Sequence, residues 1–129
     1  MNGNLLDTSA VIFAVSFPER LSAAARKAIL NGPNVLSVVS YWEVMLKGMK
    51  GSLEVGDLRT WWPDALAQLA ATPLLLRPEH IAGVLSLPSH HKDPFDRMLI
   101  AQAVSEELAL VTSDRDMARY ASKELKIVR

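Results

Sequence analysis

Four acidic residues stand where the apolar runs of this chain end or where its helical patterns begin. Asp7 closes the run NLLD and Asp114 follows the run ALVTS, so both are expected just beyond buried strands. Glu43 in SYWEV and Asp96 in DPFDR are expected in the first turns of two helices. Carboxylates brought close together repel one another, and a bound cation keeps them ionised. Carboxylate oxygens are ligands that suit Mg²⁺ and Mn²⁺, so the pattern predicts a site for one of these ions.

The chemistry expected of such a site is hydrolysis of a phosphodiester bond. Two divalent ions about 3.5–4 Å apart activate a water molecule and stabilise the leaving oxygen. The four carboxylates would then position metal and water more than carry protons. The chain has no cysteine, which excludes zinc–thiolate sites, disulfides and thiol nucleophiles. It also has no glycine-rich phosphate loop and no dinucleotide-binding fingerprint.

Each of these acids also has an ordinary structural explanation, which is the more common one for any single residue. Ser40 and Glu43 are spaced as a capping box at the start of a helix. Asp93 is a good N-cap, because a proline follows it at the first helical position. Asp114 is placed to cap the last helix, and Asp7 to begin an Asx turn. The metal interpretation therefore depends on the convergence of all four acids.

Short apolar runs alternate with helical patterns along the chain, and this alternation predicts the fold. Strands are expected at residues 4–7, 35–39, 74–76, 108–112 and 126–128. Helices are expected at residues 10–15, 20–30, 40–50, 57–71, 78–87, 94–107 and 114–122. Strands this short and apolar belong in a parallel sheet that helices cover on both faces. The prediction is a single three-layer α/β/α domain over residues 1–129, whose ligands bind beyond the carboxyl ends of the strands.

The composition is that of a folded domain without specialised segments. Half of the residues are apolar and 22% are charged, which argues against disorder. No apolar run approaches the ~20 residues that a membrane helix needs. The first ten residues lack a basic segment followed by a long apolar stretch, so we expect no secretory signal and a cytoplasmic location. Fourteen basic residues balance fourteen acidic ones, which counts mildly against broad, non-specific binding of nucleic acid.

Four segments in chain order carry a family resemblance: LLDTSAVIFA, SVVSYWEVMLKGMKGSL, LPSHHKDPFDRMLIAQA and LALVTSDRDMARY. They resemble the PIN-domain nucleases and, within them, the VapC toxins of bacterial toxin–antitoxin pairs. Together the segments span nearly the whole chain, and the third is the most specific. Around the glutamate, Tyr41-Trp42 and Met45-Leu46 depart from the more usual sequence, which changes packing and leaves the ligand chemistry intact.

The resemblance implies a five-stranded parallel sheet flanked by helices and an endoribonuclease that depends on Mg²⁺ or Mn²⁺. The family's acidic quartet is matched by Asp7, Glu43, Asp96 and Asp114. Ser9 and Thr112 match positions that often support the quartet by hydrogen bonding, and Asp116 is a plausible auxiliary acid. As a toxin, the protein would form a homodimer and bind a small antitoxin protein that inserts into the acidic groove.

Other functions fit the same residues. A PIN nuclease can be a housekeeping RNA-processing enzyme, and a PIN-like fold can be an inactive binding module. The intact quartet argues against the inactive module, because a binder has no need of four repelling carboxylates. A phosphatase or a DNA nuclease would use the same site chemistry. Single-stranded or looped RNA is the favoured substrate, because sequence-specific recognition of RNA needs accessible bases.

Four basic residues near the expected rim are candidates for contacts with RNA phosphates: Lys47, Lys50, Lys92 and Arg115. Solvated charge is the commoner role for the last three. Lys47 follows Glu43 by four residues on one helical face, so it either pairs with that acid or contacts a phosphate.

Several further residues are expected to be structural. His90 and His91 precede DPFDR, and a hydrogen-bonding role is favoured for them over metal ligation. Arg97 is expected to form a salt bridge. The aromatic residues Trp61, Trp62 and Phe95 are expected in the core or in a protein interface more than stacked on bases.

Overall fold

A computed structural model describes residues 3–129, and five short parallel strands form its sheet. The strands are β1 (Asn4–Leu6), β2 (Asn34–Ser37), β3 (Ala71–Leu74), β4 (Ala109–Val111) and β5 (Ile127–Val128). Their order across the sheet is β3-β2-β1-β4-β5, and every neighbouring pair is parallel. The predicted five-stranded parallel sheet is confirmed.

In the described part of the chain, seven α-helices and two short 3₁₀ turns lie between the strands. The helices are α1 (Thr8–Ser16), α2 (Ala23–Asn31), α3 (Val38–Met49), α4 (Leu58–Gln68), α5 (Pro78–Gly83), α6 (Pro94–Ser105) and α7 (Arg115–Ala118). The 3₁₀ turns are Pro18–Arg20 and Val84–Ser86. Within residues 3–129, no helix combines the length and apolarity that crossing a bilayer requires.

Two hydrophobic cores cover the two faces of the sheet, because successive residues of a strand point to opposite sides. In β1, Leu5 enters one core and Leu6 the other, and both are fully buried. In β4, Leu110 lies in the same core as Leu5, and Val111 lies in the same core as Leu6. The first core packs against α6 and α7, and the second against α1, α2, α3 and α4. The three-layer α/β/α architecture follows from this alternation.

The strand order reverses between β1 and β4, and this is the place where an open parallel sheet forms its ligand crevice. Asp7 directly follows β1, and its main-chain N–H donates to the carbonyl of Val111 at 3.0 Å. Asp114 follows β4 after two residues. The fold therefore brings these two acids to one edge of the sheet.

The start of α3 differs from the capping box expected at Ser40 and Glu43. The helix begins at Val38, and Ser37 is its N-cap, with the Ser37 side chain accepting from Val39 N–H. Ser40 is inside the helix, where its hydroxyl oxygen accepts a hydrogen bond from the Thr8 hydroxyl at 3.0 Å. Glu43 therefore lies in the second turn of α3, and its carboxylate is not used as a cap.

Other boundaries also differ from the sequence prediction. The third strand is Ala71–Leu74 in place of 74–76, since its register pairs Ala71 with Asn34 of β2. Pro73 is tolerated because β3 is an edge strand. The last helix ends at Ala118, far short of residue 122, and α2 starts at residue 23 in place of 20. Residues 18–20 instead form a 3₁₀ turn after Phe17.

Candidate metal centre

Asp7 is a buried carboxylate that is held on both of its oxygens. Oδ1 accepts from Ala10 N–H at 2.8 Å, so Asp7 is the N-cap of α1 rather than the start of an isolated Asx turn. Oδ2 accepts from the Thr112 hydroxyl, which comes from the end of β4. A carboxylate oxygen carries two lone pairs, so capping leaves acceptor capacity for a cation.

Asp96 and Asp114 face each other across the imidazole of His91. Nε2 of His91 lies 3.0 Å from Oδ2 of Asp96 and 3.2 Å from Oδ2 of Asp114. The ligand atoms of these three residues all lie within 4.8 Å of one another. Asp114 caps α7 with Oδ1, which accepts hydrogen bonds from Asp116 and Met117 N–H. Its Oδ2 is the atom that contacts His91.

Glu43 brings a fourth carboxylate from α3. Glu43 is only 5% exposed, and its Oε2 forms an ion pair with Nζ of Lys47 at 3.0 Å. The other oxygen, Oε1, is buried and has no hydrogen-bond partner among the described residues. A buried charged oxygen without a partner is costly, so this atom is available to a cation.

The acids also affect one another electrostatically. Burial raises the pKa of Asp7 to about 6, with smaller contributions from Asp114 and Glu43 in the same direction. Burial also raises the pKa of Asp96 to about 7, and the charges of Asp93 and Glu43 add to this effect. Asp7 therefore keeps its proton up to about pH 6 and Asp96 up to about pH 7, unless a cation replaces that proton.

His91 and Asp114 shift in the directions expected of an ion pair. Burial acts to lower the pKa of His91, but the hydrogen bond to Asp114 and the charges of Asp96, Asp114 and Asp93 outweigh it, so the pKa is raised. Burial acts to raise the pKa of Asp114, but the bond from His91 and the N–H groups of Asp116 and Met117 hold it below its usual value. Once protonated, the His91 imidazole is a cation placed between the carboxyl groups of Asp96 and Asp114.

The donor set fits a hard divalent cation. It offers oxygens from four carboxylates and one imidazole nitrogen, with no thiol. Mg²⁺ and Mn²⁺ prefer oxygen ligands, and the partnerless Oε1 of Glu43 supplies one that protein groups leave free. Asp96 also lies in the first turn of α6, which Asp93 caps through Oδ1 as predicted.

The supporting residues expected from the sequence differ in position. Thr112 is buried and bonds to Asp7, and its oxygen also accepts from Asp114 N–H at 3.0 Å. Ser9 is exposed, and within residues 3–129 its hydroxyl makes no hydrogen bond. The neighbouring Thr8 makes the buried contact with Ser40 instead. Asp116 is exposed next to Asp114, to which its main-chain N–H donates at 2.7 Å.

The four basic candidates for RNA contact are all exposed. Lys47 pairs with Glu43, which is one of its two expected roles. Lys50 directly follows α3, Lys92 follows His91 in the loop before α6, and Arg115 is the first residue of α7. Lys92 and Arg115 therefore adjoin the cluster in sequence.

Sequence reasoning gave His91 a structural role and did not expect it between two quartet acids. The available signal was its position two residues before the helix cap Asp93. The loop that carries it is fixed by the Tyr120 hydroxyl, which accepts from His90 and His91 N–H at 3.1 and 3.0 Å. Arg97 forms no salt bridge within the described residues, contrary to prediction. It donates instead to the Tyr120 oxygen and to main-chain carbonyls of this region, including that of Pro88.

The aromatic residues lie largely where expected. Trp61 is buried in the core, and Tyr41 stacks on both Trp61 and Trp62. Phe95 makes an edge contact with Trp42, which is 59% exposed. Phe95 and Trp42 directly precede Asp96 and Glu43 in the sequence, so this apolar pair adjoins two of the acids along the chain.

A parallel α/β sheet with an acidic cluster at its strand-order reversal defines a class of open-sheet proteins whose crevice is suited to a cation. The family model described as PIN domain matches residues 5–123, and the chain belongs to this family. It is 29% identical over 118 residues to Ribonuclease VapC22 of Mycobacterium tuberculosis (strain ATCC 25618 / H37Rv), with 90% of each chain covered.

Solved structures share the fold at lower sequence identity. One is VapBC2 from Rickettsia felis bound to a DNA fragment from their promoter, with a TM-score of 0.70, 13% identity and 96% of each chain covered. Another is a toxin–antitoxin complex from Klebsiella pneumoniae, with a TM-score of 0.62, 20% identity and coverage of 95% of this chain and 94% of that one.

Proposed function

We propose that this protein is an endoribonuclease that uses Mg²⁺ or Mn²⁺ to hydrolyse single-stranded or looped RNA. The observation that carries the proposal is the acidic cluster, in which Asp7 and Asp96 have raised pKa values and Glu43 has a buried oxygen without a partner. The similarity to a ribonuclease of the same family supports RNA as the substrate.

Asp7, Glu43, Asp96 and Asp114 would hold the ion. When bound, the ion would supply Lewis acidity to the scissile phosphate and lower the pKa of water. The residues of the chain supply position: Ala10 N–H and Thr112 fix Asp7, and the α7 N–H groups fix Asp114. Hydrolysis in this arrangement would leave a 5′-phosphate and a 3′-hydroxyl.

The test is cleavage of a labelled RNA by the full chain with EDTA, Mg²⁺ or Mn²⁺, beside the variant Asp7→Asn. Asparagine keeps an acceptor for Ala10 N–H but removes the charge, so the variant should fold and lose cleavage. Cleavage in EDTA, or undiminished turnover by Asp7→Asn, would exclude the proposal. DNA of the same sequence and a phosphomonoester, tested in parallel, separate a ribonuclease from a DNA nuclease and a phosphatase.

The proposal includes a toxin role with an antitoxin protein as partner, in the cytoplasm. The likeness to toxin–antitoxin complexes supports this role, as does the apolar patch of Trp42 and Phe95, in which Trp42 is 59% exposed. A partner that neutralises the cluster would bury this patch. Expression alone should arrest growth, and co-expression of the neighbouring reading frame should rescue it. Growth without arrest would instead favour a housekeeping RNA-processing enzyme.

A homodimer is also part of the proposal. Ile81 of α5 and Leu85 of the following 3₁₀ turn are large apolar side chains that are 53% and 92% exposed. Contiguous apolar surface left open to solvent marks protein interaction sites, and a second copy of the chain would cover these two residues. Light scattering should show a dimer for the wild type and a monomer for Leu85→Glu. A wild type that is monomeric would exclude the homodimer.

A further inference from the structure

A cleft of about 400 Å³ opens beside the acidic cluster on the α1 and α2 side of the sheet. Its walls include Phe13 of α1, Ser22 at the start of α2, and Thr112 and Ser113 after β4. Thr112 bonds to Asp7, and Ser113 directly precedes Asp114. The cleft therefore begins within one residue of the proposed catalytic acids.

The charge of this cleft is opposite to that of the cluster. Arg20 and Arg129 are among its lining residues, and no Asp or Glu lines it. Within residues 3–129, neither arginine has a carboxylate within salt-bridge distance. Unpaired guanidinium groups beside a phosphodiester-cleaving centre are suited to binding further phosphates of the same strand.

Arg20 is held in place by aromatic rings rather than by acids. Its guanidinium carbon lies 4.9 Å from the centre of the Phe17 ring and 5.6 Å from that of Phe13. The residue is exposed, so this stacking orders the side chain without covering it. Unstacked RNA bases pack on guanidinium planes and on aromatic rings, and this cleft offers both.

A second groove extends the basic surface along α2 and β5. It has a volume of about 450 Å³, is lined by Lys27 and Lys126, and shares Arg129 with the first cleft. Neither lysine has a carboxylate partner within the described residues. Arg129 thus connects Arg20 of the first cleft to Lys27 and Lys126 of the second groove.

We infer that this arginine cleft is a substrate subsite, which binds the RNA nucleotide next to the scissile phosphate, and that the strand continues along the α2–β5 groove. The inference rests on the proposed function, because it takes RNA as the substrate of the acidic cluster. Single-stranded RNA is the occupant because a volume near 400 Å³ suits one nucleotide, being in the range of small-ligand pockets, and excludes a duplex.

The test compares the wild type with the double variant Arg20→Gln/Arg129→Gln. Fluorescence anisotropy with a labelled single-stranded RNA in EDTA measures binding without cleavage. We expect the Kd of the double variant to rise by about tenfold, because two phosphate contacts are lost. The slope of log Kd against log salt should fall by about 1.4, because each contact with a single strand contributes ~0.7.

Controls separate this subsite from general charge and from the catalytic centre. Arg59→Gln removes an exposed arginine from α4, which packs on β3 at the opposite edge of the sheet, and should leave Kd unchanged. With Mg²⁺, the double variant should show a raised KM and a kcat within about twofold for the long RNA. Arg20→Lys keeps the charge without the planar group, so it should retain the salt slope and lose part of the affinity.

A dinucleotide has only the scissile phosphodiester and offers the two arginines no further phosphate, so the double variant should cleave it as the wild type does. An unchanged Kd for the long RNA, or an equal loss on the dinucleotide, would overturn the subsite. A wild type that binds RNA through these arginines but does not cleave it would instead refute the proposed function and leave the subsite standing.

Discussion

Thr112 donates its hydroxyl hydrogen to Oδ2 of Asp7, although the two residues lie 105 positions apart. This bond joins the ends of the two strands between which the sheet order reverses. It acts to lower the pKa of Asp7, while burial raises it to about 6. The protonation of the buried acid is thus set partly by a residue on the neighbouring strand.

Replacing Thr112 by valine should raise the pKa of Asp7 further, because valine keeps the shape but removes the donor. The variant should lose about 1–2 kcal/mol of stability, since Asp114 N–H also loses its acceptor. Carboxyl ¹³C NMR titration measures the pKa. Thr112→Ser keeps the hydroxyl and should titrate as the wild type; an Asp7 titration unaltered by valine would show that the bond has no electrostatic role.

The metal-free protein should become less stable as the pH rises from about 4 to about 8. Asp7 and Asp96 have pKa values of about 6 and about 7 in the folded protein, against 3.8 for an ordinary Asp. The unfolded chain therefore releases these two protons at lower pH, and rising pH stabilises the unfolded state relative to the folded one. The raised pKa of His91 acts in the same direction above about 6.5. The lowered pKa of Asp114 stabilises the fold above about 4, and this contribution is lost in more acid solution.

Urea unfolding at several pH values in EDTA measures this dependence. The rise of the Asp7 pKa from 3.8 to about 6 corresponds to a loss of about 3 kcal/mol of stability at pH 8. Asp96→Asn should flatten the dependence and raise stability at pH 8. Stability that rises steadily from pH 4 to 8 would contradict the protonation states inferred for the cluster.

Tyr120→Phe should loosen the loop that carries His91. The hydroxyl accepts from His90 and His91 N–H and donates to the carbonyl of Pro88 at 2.8 Å, so phenylalanine leaves these groups without a partner. We expect a loss of about 1–3 kcal/mol in stability and of about tenfold in kcat. Unfolding and cleavage assays measure the two effects.

Tyr41→Phe is the matched control for this prediction. Its hydroxyl donates to the main-chain carbonyl of Leu58 at the start of α4 and does not contact the loop that carries His91, so its loss should affect stability and leave kcat unchanged. Equal effects of the two substitutions on kcat would mean that Tyr120 has no special relation to the site.

Gly3→Ala should destabilise the fold by about 3 kcal/mol or more. Gly3 has φ of +117°, and an added Cβ would lie 2.5 Å from the carbonyl oxygen of Pro33. Gly51→Ala is the control: its φ is +77°, with nothing within 4 Å of the added carbon, so it should cost about 1 kcal/mol. Thermal unfolding measures the stability of both variants. Similar losses of stability would mean that the chain at Pro33 moves to accommodate the added Cβ without a large cost.

The sheet and the meeting of Asp7 with Asp114 were predictable, because buried apolar strands end in these acids and parallel strands share a carboxyl edge. The start of α3 was not. Ser37 and Ser40 are both good caps, and the choice depends on Thr8, which binds Ser40 from a distant part of the chain. Local sequence carries no information about that contact.

The role of His91 and the end of β3 were missed for similar reasons. His91 lies in a loop, and its position depends on the Tyr120 hydroxyl 29 residues away. The apolar run Leu74–Leu76 looks like a strand, but the register of β3 is set by pairing with β2, so Leu75 and Leu76 lie outside the sheet. Tertiary contacts decided both features.

The central claim is that the quartet is a divalent-cation site, and calorimetric titration of Mn²⁺ into the protein at pH 8 tests it most directly. The account predicts saturable binding at millimolar concentration or tighter, weakened by about tenfold or more in Asp96→Asn and unchanged in Glu124→Gln, which removes an exposed acid outside the cluster. Absence of binding at millimolar Mn²⁺, or equal binding by wild type and Asp96→Asn, would contradict it.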